Sequence, residues 1–263
     1  MSDRLVGSEM CIRDRVIMAL RLREENLGLD GQCAALSDLL IKHGIGVTER
    51  PDPQDLNPLI LKLTKKCNIA CTYCYDFEHG DAAQHGDLDQ LKDAISQALS
   101  LIEATKPLHI IFHGGEPMLV WDMLEALVLH GENEAKEQGR EIRFQGQTNL
   151  TALTERKIQF SEAHEIAWGI SLDGDASLND INRRRIDGAG SYHLFERNYQ
   201  RHGSFVRSFP VLSTITAANC GHLLDIARHF RDLDMAGWDW SLFQPIGRAR
   251  DKVHHMSIEK DTL

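Results

Sequence analysis

The chain has 263 residues, of which 42% are hydrophobic and 26% charged; these proportions are ordinary for a globular protein with one barrel-sized domain. Its 39 acidic residues outnumber its 29 basic ones, and the net charge of −10 argues against nucleic acid or an anionic membrane as a partner. No apolar run is long enough to span a membrane, and the six cysteines show no disulfide pattern, which favours a reducing, cytoplasmic location.

The first 57 residues contain little that predicts function. Residues 5–15 resemble the translation of a sequencing-library adapter, so we interpret 1–15 as a non-native leader that includes Cys11, and we expect the natural start to be missing. Residues 16–57 are interpreted as a helical leader, centred on 33–41, and a linker rich in proline and charge at 49–55. Their role is not indicated by the sequence.

From residue 58 onward, strand-like runs alternate with helical runs, which is the pattern of a parallel α/β fold. The first helix has its apolar residues on one face, and Asp87 with Gln90 resembles a capping box at its start. Strands are predicted at 59–64, 108–112, 141–146, 166–171, 206–214 and 238–243. Helices are predicted at 88–105, 119–138, 152–163, 192–202 and 220–234, the last capped by Asn219.

Three cysteines, Cys67, Cys71 and Cys74, follow the first strand at the spacing C-x3-C-x2-C. Soft thiolates this close together suit zinc or an iron–sulfur cluster. Zinc sites and ferredoxin-type clusters normally have four protein ligands, so three thiolates on a four-iron cluster would leave one iron open to a substrate. A zinc site completed by a distant histidine and a redox pair of Cys71 with Cys74 remain as alternatives.

Glycine-rich and polar segments follow the later strands, at the edge of the sheet where the active sites of parallel barrels lie. The pair Gly114-Gly115 would permit close approach of the backbone to a ligand, and Pro117 fixes the exit of that loop. The segments are His-Gly-Gly-Glu-Pro at 113–117, Gln-Thr-Asn at 147–149, Ser-Leu-Asp-Gly at 171–174, Asn-Asp at 179–180 with Arg183, and Gly-Ala-Gly-Ser-Tyr at 188–192.

Taken together, these motifs resemble those of the radical SAM enzymes, whose cysteine loop has an aromatic residue before the third cysteine, here Tyr73. The resemblance implies a partial (β/α)6 barrel of the TIM type over 58–250, an α/β fold. The segments after the third and fourth strands resemble those of the SPASM subgroup, except that Leu150 replaces a glycine. The tail at 251–263 is interpreted as truncated, without the SPASM region.

The resemblance also implies the cofactors and their ligands. Cys67, Cys71 and Cys74 would bind a [4Fe–4S] cluster whose open iron holds S-adenosylmethionine. Gly114 and Gly115 would hold the methionyl amine through backbone contacts, Ser171 the ribose, and Arg183 the carboxylate, since a guanidinium pairs well with one. The residues predicted to bind the cofactor are Tyr73, Gly114, Gly115, Glu116, Pro117, Asn149, Ser171, Asp173 and Arg183. No general acid or base is predicted.

The implied function is reductive cleavage of S-adenosylmethionine to a 5′-deoxyadenosyl radical that modifies a peptide or protein side chain. The Asn-Asp form of the loop at 179–180 favours peptide maturation over the alternative, an anaerobic sulfatase-maturating enzyme. An electron donor such as flavodoxin or ferredoxin would be a partner. A non-catalytic zinc-binding module is the alternative from another class.

Overall fold

The computed structural model describes residues 58–75, 83–103 and 105–258. The adapter-like start, the helical leader and the linker lie outside the described residues, as do the last five residues of the tail. The predictions made for those segments therefore stay predictions.

Six parallel strands form one sheet in chain order, each hydrogen-bonded to the next. Parallel neighbours need crossover connections, and helices supply them, as the alternating sequence pattern predicts. The strands are β1 (Leu59–Thr64), β2 (Leu108–Gly114), β3 (Ile142–Thr148), β4 (Ala167–Ser171), β5 (Pro210–Ile215) and β6 (Gly237–Leu242). The α/β fold with six strand units is confirmed.

Seven α-helices lie in the part of the chain that the structure describes. They are α1 (Leu88–Leu101), α2 (Trp121–Glu137), α3 (Glu155–Ala163), α4 (Ala176–Asn182), α5 (Tyr192–Arg207), α6 (Leu223–Asp232) and α7 (Val253–Met256). Short 3-10 turns occupy Pro117–Val120, Cys220–His222 and Gly247–Lys252.

The core lies between the helices and one face of the sheet. Alternate strand residues such as Leu63, Phe112 and Trp168 are fully buried, and they belong to one apolar cluster with helix residues such as Leu99 and Leu127. Residues between them on the opposite face of the sheet stay accessible, among them Ile60, Lys62, Arg143 and Gln145. Because a strand alternates its side chains, this one-sided burial leaves the other face of the sheet open.

The structure corrects several predicted boundaries. The first helix ends at Leu101 rather than at 105, although Asp87 does cap it by accepting a hydrogen bond from the Gln90 N–H at 3.0 Å. The strand predicted from 206 begins at Pro210, because α5 continues to Arg207 through non-helical dihedral angles at His202. The prediction missed α4 altogether, whose start Asp175 caps by accepting from the Leu178 N–H.

Asn219 does not cap the helix as predicted. Its side chain instead accepts a hydrogen bond from the Thr216 N–H at 2.7 Å and donates to the Thr214 carbonyl at 3.1 Å. The residue therefore closes the turn after β5, and the helix begins later, at Leu223, behind a 3-10 turn. Asparagine suits both tasks, because its short amide can bond to nearby backbone in a turn as well as at a helix start.

Leu150 adopts a left-handed backbone conformation, with φ of +62°, yet its side chain is fully buried in the core. A left-handed conformation costs a non-glycine residue about 1–2 kcal/mol. The Thr148 hydroxyl accepts from the Leu150 N–H at 2.9 Å, and Asn198 donates to the Leu150 carbonyl at 2.7 Å. Side-chain burial and these two backbone hydrogen bonds together hold the strained conformation.

We expect Leu150→Gly to be more stable than Leu150→Ala, although both are less stable than the parent. Either change removes a buried leucine at a cost of about 2–5 kcal/mol, but only glycine adopts the positive φ without strain. Urea unfolding measures the order. The matched control is Leu127, which is buried within α2, where the alanine variant is expected to be more stable than the glycine variant by about 1 kcal/mol. The same order at both positions would contradict the strain at Leu150.

Candidate functional site

The three predicted metal ligands lie on the loop that follows β1. Cys67 is buried, while Cys71 and Cys74 pack beside it and are half-buried. Burial raises the pKa of the Cys67 thiol to about 12, and the Glu116 carboxylate adds to the shift. Burial also raises the pKa of Cys71 to about 11, although the Arg183 guanidinium opposes it. A bound metal centre would counter both shifts, since metal ligation requires the thiolate form.

The three cysteine thiols form a soft donor set. Thiolates suit zinc or an iron–sulfur cluster, and three thiolates on a four-iron cluster leave one iron open. Each of the three thiols acts electrostatically on another, so they belong to one site. The donor set fits a cluster held by Cys67, Cys71 and Cys74.

The loop after β2 packs tightly against the backbone that leads into the cysteines. The Gly115 N–H donates to the Thr64 carbonyl at 2.6 Å, and the Glu116 N–H donates to the Lys66 carbonyl at 2.9 Å. A Cβ atom at Gly114, where φ is +140°, would lie 2.3 Å from the Thr64 carbonyl oxygen, and one at Gly115 would lie 2.2 Å from that of Lys66. Both positions thus need glycine for the contact between the two loops, and the predicted contact with a cofactor stays a prediction.

Glu116 lies behind this loop and is almost completely buried. Its carboxylate accepts hydrogen bonds from the Met118 N–H at 3.0 Å, the Thr148 hydroxyl at 2.8 Å and the Asn149 N–H at 2.8 Å. Burial raises the pKa of Glu116, while these donors oppose the shift. The residue therefore ties the end of β2 to the end of β3. Pro117, also predicted as a site residue, is buried and begins the 3-10 turn Pro117–Val120.

We expect Gly115→Ala to destabilise the protein by about 1–3 kcal/mol, the usual cost of overpacking. The added methyl group would meet the carbonyl oxygens of Lys66 and Lys65, at 2.2 and 2.6 Å. Gly221→Ala is the matched control, because a Cβ there would meet nothing within 4 Å. Urea unfolding of both variants measures the difference. Equal stability of the two variants would show that the close approach of the loops is not needed.

Tyr73, Asp173 and Arg183 form a contiguous hydrogen-bonded group that holds the cysteine loop, with Asp173 and Arg183 buried and Tyr73 half-buried. The Tyr73 hydroxyl donates to the Asp173 carboxylate at 2.7 Å and accepts from the Arg183 Nη1 at 2.7 Å. Asp173 also accepts from the Thr214 N–H at 3.0 Å, which connects the group to β5. Burial raises the pKa of Asp173, although the Arg183 guanidinium opposes the shift. Arg183 is itself 7% exposed, so it is a buried cation. It differs in this from Arg184, which follows it and is exposed.

The segment that ends α4 also binds the cysteine loop through its backbone. The Ala70 N–H donates to the Arg184 carbonyl at 2.6 Å, and the Thr72 N–H donates to the Asn182 carbonyl at 2.9 Å. The Thr72 hydroxyl donates to the Asn182 side chain at 2.6 Å. Asn182 was missed from the sequence, because only its place at the end of α4 brings it to the cysteine loop.

We expect Arg183→Met to weaken folding more at about pH 8 than at about pH 5. A carboxyl group whose folded pKa lies above its ordinary value binds more protons when folded, so stability falls as the pH rises through that range. Loss of Arg183 would raise the pKa of the buried Asp173 further. The variant would therefore lose more folding stability than the parent as the pH rises. Urea unfolding at both pH values measures it, with Arg184→Met, at an exposed neighbour, as the control. A deficit independent of pH would contradict the pairing.

Ser171 lies at the end of a hydrogen-bonded row that crosses three strands. His113 and Gln147 are joined at 3.0 Å between Nε2 and Oε1, and the Gln147 amide donates to the Ser171 hydroxyl at 3.2 Å. The three half-buried side chains stand at the carboxyl ends of β2, β3 and β4. His113 and Gln147 lie in segments that the sequence singled out, but only Ser171 was predicted to bind the cofactor, because the register of the strands is needed to join the three side chains.

Asn149 lies next to the first cysteine. Its side-chain Nδ2 is 3.8 Å from the Cys67 Sγ and 2.9 Å from the Asn68 Oδ1, and its Oδ1 accepts from Thr151. The structure therefore brings the predicted site residues to one edge of the sheet, around the cysteine loop. Their roles toward a cofactor stay predictions.

Comparison with known proteins decides the family. The sequence profile of the Radical SAM superfamily matches residues 61–204, which is more than half of the chain. This chain belongs to the radical SAM superfamily. The match confirms the sequence-based assignment, and the [4Fe–4S] cluster and S-adenosylmethionine are the cofactors that this enzyme superfamily uses.

One related sequence and two solved structures show which known proteins this chain resembles. A cysteine-type anaerobic sulfatase-maturating enzyme of Clostridium perfringens is 25% identical over 68% of this chain and 49% of its own length. The structure titled native anSMEcpe with bound AdoMet and Kp18Cys peptide superposes with a TM-score of 0.63 at 23% identity, covering 71% of this chain and 51% of that one. Streptococcus suis SuiB bound to its precursor peptide SuiA gives 0.53 at 14%, covering 88% and 52%.

These likenesses confirm the radical SAM fold. At identities below 25% the two solved structures support the fold alone. The chain spans about half the length of the curated relative named here. Within the described residues, no helix combines the length and the apolarity that crossing a membrane requires.

Proposed function

We propose that this chain is the core of a radical SAM enzyme that modifies a side chain of a peptide or protein. The observation that carries the proposal is the loop of Cys67, Cys71 and Cys74, placed at the carboxyl edge of a parallel sheet and fixed from three sides. Radical SAM chemistry needs such an edge, because the cluster and its nucleotide must meet between the ends of several strands.

In this proposal the three cysteine thiolates bind the [4Fe–4S] cluster. When bound, the cluster and S-adenosylmethionine would supply, with one electron from an external donor and release of methionine, a 5′-deoxyadenosyl radical able to take a hydrogen atom from the substrate. The protein supplies orientation and excludes water. Burial raises the pKa of Cys71, and the buried cation Arg183 opposes that rise and so favours the thiolate form.

Ser171 and Arg183 are the side chains that we propose for the nucleotide. The Ser171 hydroxyl accepts from Gln147, so its own proton is available to donate to a ribose oxygen. The hydrogen bond from Arg183 to Tyr73 uses one of the several N–H groups of a guanidinium, and the others suit a carboxylate. The methionyl ammonium group is a donor and would need carbonyl oxygens of the loop that contains Gly114 and Gly115.

The substrate is a peptide or protein in both forms of the proposal. We propose peptide maturation, and the similarity to an enzyme named as a sulfatase maturase keeps sulfatase Cys or Ser oxidation as the second candidate. SuiB, whose structure contains its precursor peptide, has the same fold.

The cellular setting belongs to the same proposal. A one-electron donor such as flavodoxin or ferredoxin would reduce the cluster. The described cysteines, at 67, 71, 74 and 220, all have free thiols, which suits the cytoplasm.

Anaerobic reconstitution with iron and sulfide tests the proposal. We expect roughly four iron atoms per chain, and formation of 5′-deoxyadenosine when dithionite and S-adenosylmethionine are added. Cys67→Ala, Cys71→Ala and Cys74→Ala should each abolish both readouts. Cys220→Ala is the control and should change neither, because Cys220 lies at the turn before α6. Stoichiometric zinc without 5′-deoxyadenosine would support the zinc-binding module instead.

The substrate class is tested separately, with the reconstituted enzyme. A sulfatase-derived peptide that gains a carbonyl at its Cys or Ser, detected with a hydrazide reagent, would support the sulfatase maturase. A precursor peptide encoded beside the gene that loses a pair of hydrogens and resists sequencing by fragmentation would support side-chain cross-linking. Recovery of the flanking DNA identifies which peptide to test.

A further inference from the structure

Three side chains beside the first cysteine form a closed ring of hydrogen bonds. The Asn149 amide donates to the Asn68 Oδ1 at 2.9 Å, the Asn68 amide donates to the Thr151 hydroxyl at 2.7 Å, and that hydroxyl donates to the Asn149 Oδ1 at 2.6 Å. Each member therefore donates once and accepts once around the ring. Such a ring limits the rotation of every side chain in it, because turning one breaks two bonds.

The backbone fixes the direction in which this ring runs. The Thr151 N–H lies 3.0 Å from the Asn149 Oδ1, and a backbone N–H can only donate. The oxygen of the Asn149 amide must therefore face Thr151, and its NH₂ group must face the other way. One N–H of that group goes to Asn68, and the other is directed at the Cys67 sulfur, 3.8 Å away. A large sulfur atom accepts hydrogen bonds at longer distances than oxygen does.

We propose that Asn149 is a positioning residue that donates an N–H hydrogen bond to the Cys67 thiolate and so sets the reduction potential of the cluster. This inference rests on the proposed function. Cys67 is the most buried of the three cysteines and lies near the Glu116 carboxylate, so its negative charge gains little from water. Hydrogen bonds to cluster sulfurs stabilise the more negative, reduced state and raise the potential.

Two of the three proposed ligands then differ in their surroundings. Cys71 has the buried Arg183 cation nearby, whereas Cys67 has a neutral amide and the backbone N–H of Ile69. A neutral amide can donate to the Cys67 thiolate. A cation in the same place would also pair with the adjacent Glu116 carboxylate. The main chain of Asn149 is held independently, because its N–H donates to Glu116 at 2.8 Å. A change of the Asn149 side chain therefore leaves the link between the loops after β2 and β3 in place.

The test compares two uncharged variants of the reconstituted protein. Asn149→Leu is close in size and removes the donor to Cys67. Thr151→Val also breaks the ring, but it keeps the Thr151 N–H that orients Asn149, and so it keeps the donor. Iron and sulfide content, thermal unfolding and a redox titration followed by electron paramagnetic resonance are measured for both variants and for the parent. If Asn149→Leu does not fold, Asn149→Ala replaces it, because its methyl group is small and uncharged and cannot donate.

We expect equal iron content in all folded forms, a more negative midpoint potential in Asn149→Leu, and a parental potential in Thr151→Val. An unchanged potential in Asn149→Leu, or an equal shift in both variants, would overturn the inference. Because these readouts need no turnover, a failure of the inference is distinct from a failure of the proposed function. If the parent itself takes up no cluster, the proposed function fails, and the inference fails with it.

Discussion

The geometry of this site depends on a buried charge contact between Arg183 and Asp173, bridged by the hydroxyl of Tyr73. The cysteine loop contributes little apolar surface to the core, so packing alone does not fix it. Removing one partner of a buried ion pair leaves the other charge uncompensated, which destabilises the folded state. Because Tyr73 lies between Cys71 and Cys74 in the sequence, this destabilisation would act directly on the cysteine loop.

The same edge of the sheet shows how one residue type can serve structure and function together. Paired glycines beside a cofactor site suggest close approach of a ligand, yet Gly114 and Gly115 are already required by the approach of the backbone at Thr64 and Lys66. Glu116 and Asn149 then connect that contact to the end of β3. The site is therefore a set of loops that bind one another first, and the proposed cofactor contacts are built on that arrangement.

Regular elements were predictable from the sequence where burial alternates clearly, as in β2, where Leu108, Ile110 and Phe112 are fully buried. The short helix α4 was not, because its seven residues are mostly polar and only the cap at Asp175 marks it. The cysteines were found from their spacing. Asn68, Thr151 and Asn182 were not, because their roles arise from contacts between residues 34 to 110 positions apart, such as Thr72 with Asn182.

The lack of space for a side chain at Gly115 couples the loop after β2 to the loop after β1. Carbonyl oxygens of the β1 loop leave no space for a methyl group there, and the Gly115 and Glu116 N–H groups donate to the Thr64 and Lys66 carbonyls. Because the two backbones are in direct contact, we expect a displacement of the segment that carries the thiols to move the segment that follows β2 with it.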